Sequence, residues 1–198
     1  MSGTHVAREP SGEPRLSRRL QLVLAVVAAF VVGAGATEVW SRTRPEPLEL
    51  PPVSVGECFA VNGSDVVTYG TMTLVNRSDE PVKITDLRLV DPRGTLLTGA
   101  SMLVPMQQEV VGNQPGFPPT ANLDAPGLRW SEQRLAVRGL VEPAEVAGPV
   151  NLVIGLRVLS ANVDPSFAGV EVDYEAGRRS FTWRSAGPVT MSTTGVSC

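Results

Sequence analysis

Catalysis at neutral pH needs a group that can carry a proton, attack a carbon or hold a metal, and this chain offers few of them. Its 198 residues include one histidine, His5, and two cysteines, Cys58 and Cys198. With no histidine after position 5, the rest of the chain cannot run a Ser-His-Asp or Cys-His mechanism and cannot ligate a metal through imidazole. Two cysteines alone make no zinc site. The run GVEVDYEAGRRSFTWR (169–184) sets Glu171, Asp173 and Glu175 at alternate positions, one face of a strand. Calcium needs six or more converging oxygens, which strand alternation does not supply. The three carboxylates therefore read as a solvated strand face. Paired-carboxylate glycoside hydrolysis usually comes with an aromatic-lined cleft. Here Phe59, Tyr69, Trp130, Phe167, Tyr174, Phe181 and Trp183 mostly fit a core. We assign no catalytic, cofactor-binding or metal-binding residue, expect no cofactor, and expect no enzyme activity.

One aromatic stands apart. The segment GNQPGFPPTANLDAPG (112–127) lacks periodicity and places Phe117 between Gly116 and Pro118. Long irregular loops in compact domains are usually functional or disordered, so Phe117 is the candidate contact residue. The alternative is a loop covering one end of the fold, with Phe117 and Trp130 tucked beneath it.

The elements that must carry these residues begin with LSRRLQLVLAVVAAFVVGAGATEVWSR (16–42). From Leu20 to Thr37 there is no charge, and Gln21 is the one strongly polar residue. That length lies at the short end for a spanning helix, and Trp40 and Arg42 extend it in an interfacial manner. Ala34-Gly35-Ala36 offers a signal-peptidase site, so cleavage near Ala36 competes with retention. Arg8, Arg15, Arg18 and Arg19 precede the run, which keeps the N-terminus inside in either case. The expected order is a basic cytoplasmic tail (1–19), a transmembrane signal-anchor (20–40) whose partner is the lipid bilayer, a Pro-rich linker (41–53) and an extracytoplasmic domain (54–198).

From Ser41 onward, thirteen Lys and Arg face seventeen Asp and Glu, with no basic stripe, so nucleic-acid binding lacks its electrostatic footprint. Outside the cytoplasm an even cysteine count invites pairing. A Cys58–Cys198 bond would join the ends of the domain and add roughly 4–5 kcal/mol in the chain-entropy model. Two free thiols or an intermolecular bond are the alternatives.

Short alternating runs separated by turn residues read as strands over 55–61, 66–76, 82–90, 94–97, 102–105, 134–141, 149–159, 169–175, 179–184 and 188–197. The continuous apolar run at 150–156 predicts a central strand buried on both faces. In the hairpin of 169–184, a two-residue turn at Ala176-Gly177 would pair Glu175 with Arg178, Val172 with Phe181 and Val170 with Trp183. The sum is an all-β, immunoglobulin-like antiparallel sandwich preceded by one N-terminal transmembrane helix.

VGECF (55–59), LVNRSDEPVKITDLRLV (74–90), NLVIGLRV (151–158), GVEVDYEAG (169–177) and the terminal Cys198, together with one Lys against sixteen Arg, resemble a group of actinobacterial envelope proteins. The resemblance implies a membrane-anchored, Ig-like extracytoplasmic domain and transfers no functional residue. The expected function is a non-catalytic interaction or structural module of the cell envelope, contacting an envelope protein or glycan. The alternative is a secreted or anchored domain that binds a small ligand or glycan. The oligomeric state is not legible in the sequence.

Overall fold

In the computed structural model the described residues are 46–49, 56–61, 63–107, 109–119, 127–159, 164–185 and 187–193. The tail at 1–19, the apolar segment at 20–40 and Cys198 lie outside them, so the anchor and the disulfide partner remain expectations. Among the described residues, no helix is long and apolar enough to cross a membrane.

The alternating runs become thirteen strands: β1 (Leu48–Glu49), β2 (Glu57–Ala60), β3 (Val66–Asn76), β4 (Val82–Val90), β5 (Thr95–Pro105), β6 (Gly112–Pro115), β7 (Arg134–Leu135), β8 (Leu140–Val141), β9 (Val150–Val158), β10 (Ser166–Phe167), β11 (Gly169–Ala176), β12 (Arg179–Arg184) and β13 (Val189–Ser192). One short helix, α1 (Ala144–Ala147), and a 3-10 turn, Trp130–Glu132, complete the described elements. One sheet runs β1-β3-β9-β5-β7 with β6 beside β3, a second runs β12-β11-β4-β8, and a third runs β10-β13-β2. Among the described residues the strands pair antiparallel, except β13 with β2, which pair in parallel. Reading β1, β3, β9 and β5 as A, B, E and D, and β4, β11 and β12 as C, F and G, reproduces the two-sheet order of an immunoglobulin constant-type sandwich. The all-β expectation holds, and the sandwich follows from this order.

The core fills the space between the first two sheets. Tyr69, Met72 and Leu74 from β3 and Leu152, Ile154 and Leu156 from β9 join Val82 and Ile84 from β4 and Val172 and Tyr174 from β11, with Phe167 and Met191 from the third sheet. Apolar residues in β3 fall at 67 and 69, then at 72 and 74. The one-residue change of phase is absorbed by a bulge between Tyr69 and Met72, so all four side chains reach the same core. β4 does the same at Thr85: Asp86 pairs with Asp173 and Ile84 with Tyr174, which returns Ile84 and Leu87 to one side.

β9 is buried from Val150 to Leu156, as its unbroken apolar run requires. Its even-numbered residues enter the main core. On the opposite face, Val153 belongs to a second cluster with Val104, Met106, Val111 and Leu128, against which Phe117 and Trp130 pack.

Four expectations are corrected. Leu48–Glu49, inside the segment read as linker, is strand, and Leu48 is buried because Pro47 O accepts the Arg77 N–H and β1 pairs with β3. Residues 112–115 at the head of the segment read as loop form β6, held by β3 rather than by any pattern of their own. The run at 134–141 divides into β7 on the first sheet and β8 on the second, turned at 136–139. The hairpin turn is Gly177-Arg178, pairing Ala176 with Arg179, Tyr174 with Phe181 and Val172 with Trp183. An Ala176-Gly177 turn would have put positive φ on alanine; instead Gly177 takes it, at +59°, as a type II′ turn prefers. The face assignment survives the shift, and the Tyr174 and Phe181 rings stack at 5.2 Å.

Candidate functional site

Of the residues singled out in the sequence, the three alternating carboxylates lie on the outer face of the second sheet. Glu171 pairs across with Arg88 of β4 and Arg184 of β12; Asp173 pairs with Asp86 and Thr182. This puts Arg88 in reach of three carboxylates. Its guanidinium donates to Glu171, to Asp173 Oδ2 at 2.6 Å and to Asp86 Oδ2 at 3.2 Å. Thr182 Oγ1 donates to Asp173 Oδ1 at 2.6 Å. Arg88 is 85 positions from Asp173 in the chain and carries no sequence signal as its partner. Glu175 lies outside this network, across from Lys83 and Ser180.

The electrostatics follow from those bonds. The Thr182 hydroxyl and, next, the Arg88 guanidinium hold the Asp173 carboxyl below the ordinary carboxylate range, while Asp173 and Glu171 raise the guanidinium pKa. Both Asp173 partners favour the charged form, so the carboxylate is fixed as an anion rather than poised as an acid or base. Because its folded pKa is depressed, its contribution to stability is present above the unfolded value near ~3.9 and is lost as pH falls through the folded pKa. We therefore expect Thr182→Val to raise the Asp173 pKa in a carboxylate-resolved NMR titration and to leave a shallower loss of stability on acidification. An unmoved Asp173 pKa would show that the hydroxyl is not its main partner.

Beside this network lies an open hollow of ≈ 390 Å³, lined by residues of β4, β11 and β12 that include Arg88, Asp173, Phe181 and Thr182. Its charges are neutralised within the wall. Tyr174 is fully buried, which pushes its phenol up to about 12, so it presents no ring face to a ligand. Tyr69, stacked on Phe59 and edge-on to Phe167, is likewise raised by burial. Among the described residues no group of His, Cys, Asp and Glu is placed to hold a metal ion.

Phe117 sits over the outer face of the first sheet. Thr68 Oγ1 donates to Gly116 O at 2.6 Å and the Gly116 N–H donates to Val66 O, which pins the chain beside β3. The ring then lies against Gly155 of β9, half-buried in the second cluster. The fixed ring is largely a packing element, the arrangement in which Phe117 and Trp130 are tucked beneath the loop.

Cys58 stands on β2, which pairs in parallel with β13, and is not a free thiol.

No family model and no curated protein matches this chain. Among solved structures it is similar to the ASH / PapD-like domain of human CEP192 (PapD-like domain 7), at 14% identity and a TM-score of 0.38, over 76% of this chain and 89% of that one.

Two surface features had no sequence signal. Leu135, Val137 and Leu140 are exposed along the segment that crosses from the first sheet to the second, and Val146 is exposed on α1. And β12, six residues long, borders the second sheet with β11 as its one strand neighbour among the described residues.

Proposed function

We propose that the chain is a non-catalytic interaction module, tethered to a membrane by residues 20–40, whose sandwich faces the extracytoplasmic side and works by contact. The observation that carries the contact reading is β12. It is a six-residue edge strand with β11 as its one strand neighbour among the described residues, while Glu171 and Asp173 of the carboxylate cluster are each paired with Arg88. Native proteins commonly blunt such edges, so a retained one is a natural place for pairing with another chain. Leu135 on the crossing segment and Val146 on α1 add exposed apolar side chains. The tether rests on the length of the apolar run and the arginines before it. A small-ligand or glycan site has the volume of the hollow beside Arg88 in its favour, since ligand pockets run to ~300–1,000 Å³. Its open shape and internally paired charge weigh against that reading.

Intact-mass and non-reduced peptide mapping of the mature protein from its host membranes tests the reading. We expect a chain that retains residues 20–40, resists alkaline extraction, and yields one linked peptide pair containing Cys58 and Cys198. A protein that begins at Thr37 and is released in soluble form would overturn the tether and leave a secreted sandwich.

A further inference from the structure

We infer that the free edge of β12 is a homodimer interface, in which two copies pair antiparallel about a two-fold axis at Thr182. This deepens the contact reading above and rests on it for β12 being a contact surface, but not on the tether.

The argument starts from which backbone groups are spent. In the β11–β12 hairpin, Ala176 pairs with Arg179 next to the two-residue turn, and the Ser185 N–H donates to Val170 O. Hydrogen-bonded pairs alternate along an antiparallel ladder, so Arg179, Phe181 and Trp183 direct their N–H and C=O toward β11. Ser180, Thr182 and Arg184 direct theirs outward. These same three residues are exposed, and no backbone partner for them exists among the described residues.

An edge with outward groups at 180, 182 and 184 can pair with itself in one register that uses all of them. Thr182 meets Thr182 of the second copy, and Ser180 meets Arg184 in both directions. The side chains agree with that register. On the core side, Phe181 falls opposite the second copy's Trp183, in the pair type where side chains approach most closely. Both rings are half-buried in the monomer, so the pairing covers the margins they leave open. On the outer face, Arg184 stands between its own Glu171 and the small Ser180 of the second copy, whose cross-strand neighbour is Glu175. Two strand spacings, ~10 Å, separate the Arg184 and Glu175 backbones, within reach of their extended side chains over a serine. Glu171 is already held by Arg88, and neither Arg184 nor Glu175 has an ion-pair partner among the described residues. The two-fold therefore joins unspent opposite charges twice and places no like charges in opposition. The result is one continuous sheet through both copies.

Register is the part that other arrangements do not share, and site-specific cross-linking of the full-length chain in its membranes or in detergent reads it. Thr182→Cys on both copies places the two Cα atoms ~5.5 Å apart, inside the disulfide window. Ser180→Cys on both copies places them four residues apart along the strands, ~13 Å or more, outside it. We expect mild oxidation to convert the Thr182→Cys protein to a reducible dimer while Ser180→Cys stays at wild-type level. A mixture of Ser180→Cys and Arg184→Cys chains should cross-link. As a second readout, Thr182→Pro removes an outward N–H and no backbone bond to β11, only the exposed donation from Thr182 Oγ1 to Asp173, so it should abolish the dimer in sedimentation and leave the melting temperature within a few degrees; Thr182→Val, which lacks the same donation but keeps the N–H, should stay dimeric. Absence of a Thr182→Cys dimer in folded protein, or equal cross-linking by Ser180→Cys, overturns the interface. A dimer that survives Thr182→Pro does so too. Extraction from the membrane is scored separately: a soluble protein that still cross-links at Thr182 sinks the tether and keeps the dimer, and a membrane-bound one that does not cross-link does the reverse.

Discussion

Replacing Asn151 with alanine lowers the melting temperature of the domain by about 10–15 °C, the largest loss expected from removing a single polar side chain. Asn151 sits in β9 with no exposed surface, on the face away from the main core. Its Nδ2 donates to Met72 O at 2.7 Å and Gly70 O at 3.1 Å, and its Oδ1 accepts the Val111 N–H at 2.8 Å. The two carbonyls flank Thr71 at the bulge that re-phases β3, where the Asn151 amide bridges them. Alanine strands both carbonyls and one N–H where water is excluded, at about 1–3 kcal/mol each before relaxation, or about 3–5 kcal/mol together. For a domain of this size each kcal/mol moves the melting point by ~2–4 °C. Calorimetry measures the loss, and faster exchange of the Val111 amide locates it. Aspartate should do no better than alanine, because a carboxylate would face two carbonyl oxygens. A drop under about 3 °C for Asn151→Ala would mean that the bulge carbonyls find other partners.

The same bulges mark where the fold was legible and where it was not. The strands at 66–76, 82–90 and 179–184 begin and end where the alternation does, and the continuous run in β9 gave away its double burial. Periodicity works there because the side-chain period is two and the flanking turn residues are explicit. It fails for β1 and β6, which are strand only because β3 lies beside them; Pro47 and Pro115 argue locally for something else. It also fails for the hairpin register, which is set by the backbone angle that Gly177 alone adopts without strain.

The site was less legible for a related reason. That Glu171, Asp173 and Glu175 share a face follows from alternation. That Arg88 would claim two of them depends on β4 pairing with β11, a contact across more than eighty residues that no local pattern encodes. Asn76 shows the same dependence on distant strands. Its four bonds, to Glu80 O and Val141 O and from the Ser78 N–H and Oγ, include one to a strand on the far side of the chain. Phe117 drew notice because glycine and proline flank it. What the flanks could not convey is Thr68, forty-eight positions earlier, fixing the Gly116 carbonyl so that the ring descends on Gly155.

That descent makes the second large effect. A methyl group on Gly155 would lie 2.1 Å from Thr98 Oγ1 and 2.6 Å from the Phe117 ring, distances at which something has to move. β9 cannot yield, because it is hydrogen-bonded to β3 and β5 on its two sides. Thr98 lies in the irregular stretch between Leu97 and Ser101 of β5, opposite Gly155, and Phe117 is held through Gly116, so the ring and the bulge are displaced instead. Gly155→Ala should then lose about 3 kcal/mol and roughly 10 °C. Phe117→Ala alone removes a half-buried ring and should lose about 2 kcal/mol, a clear change in stability where a pure contact residue would show almost none. The double variant separates contact from coincidence. If the ring rests on Gly155, the alanine methyl occupies space that the ring has vacated, and the two losses fall short of their sum by more than ~0.5 kcal/mol. Recovery is partial, since Thr98 Oγ1 still meets the methyl. Strict additivity in chemical denaturation would mean that Phe117 is not seated on the sheet, and would return it to the surface as a residue free to engage a partner.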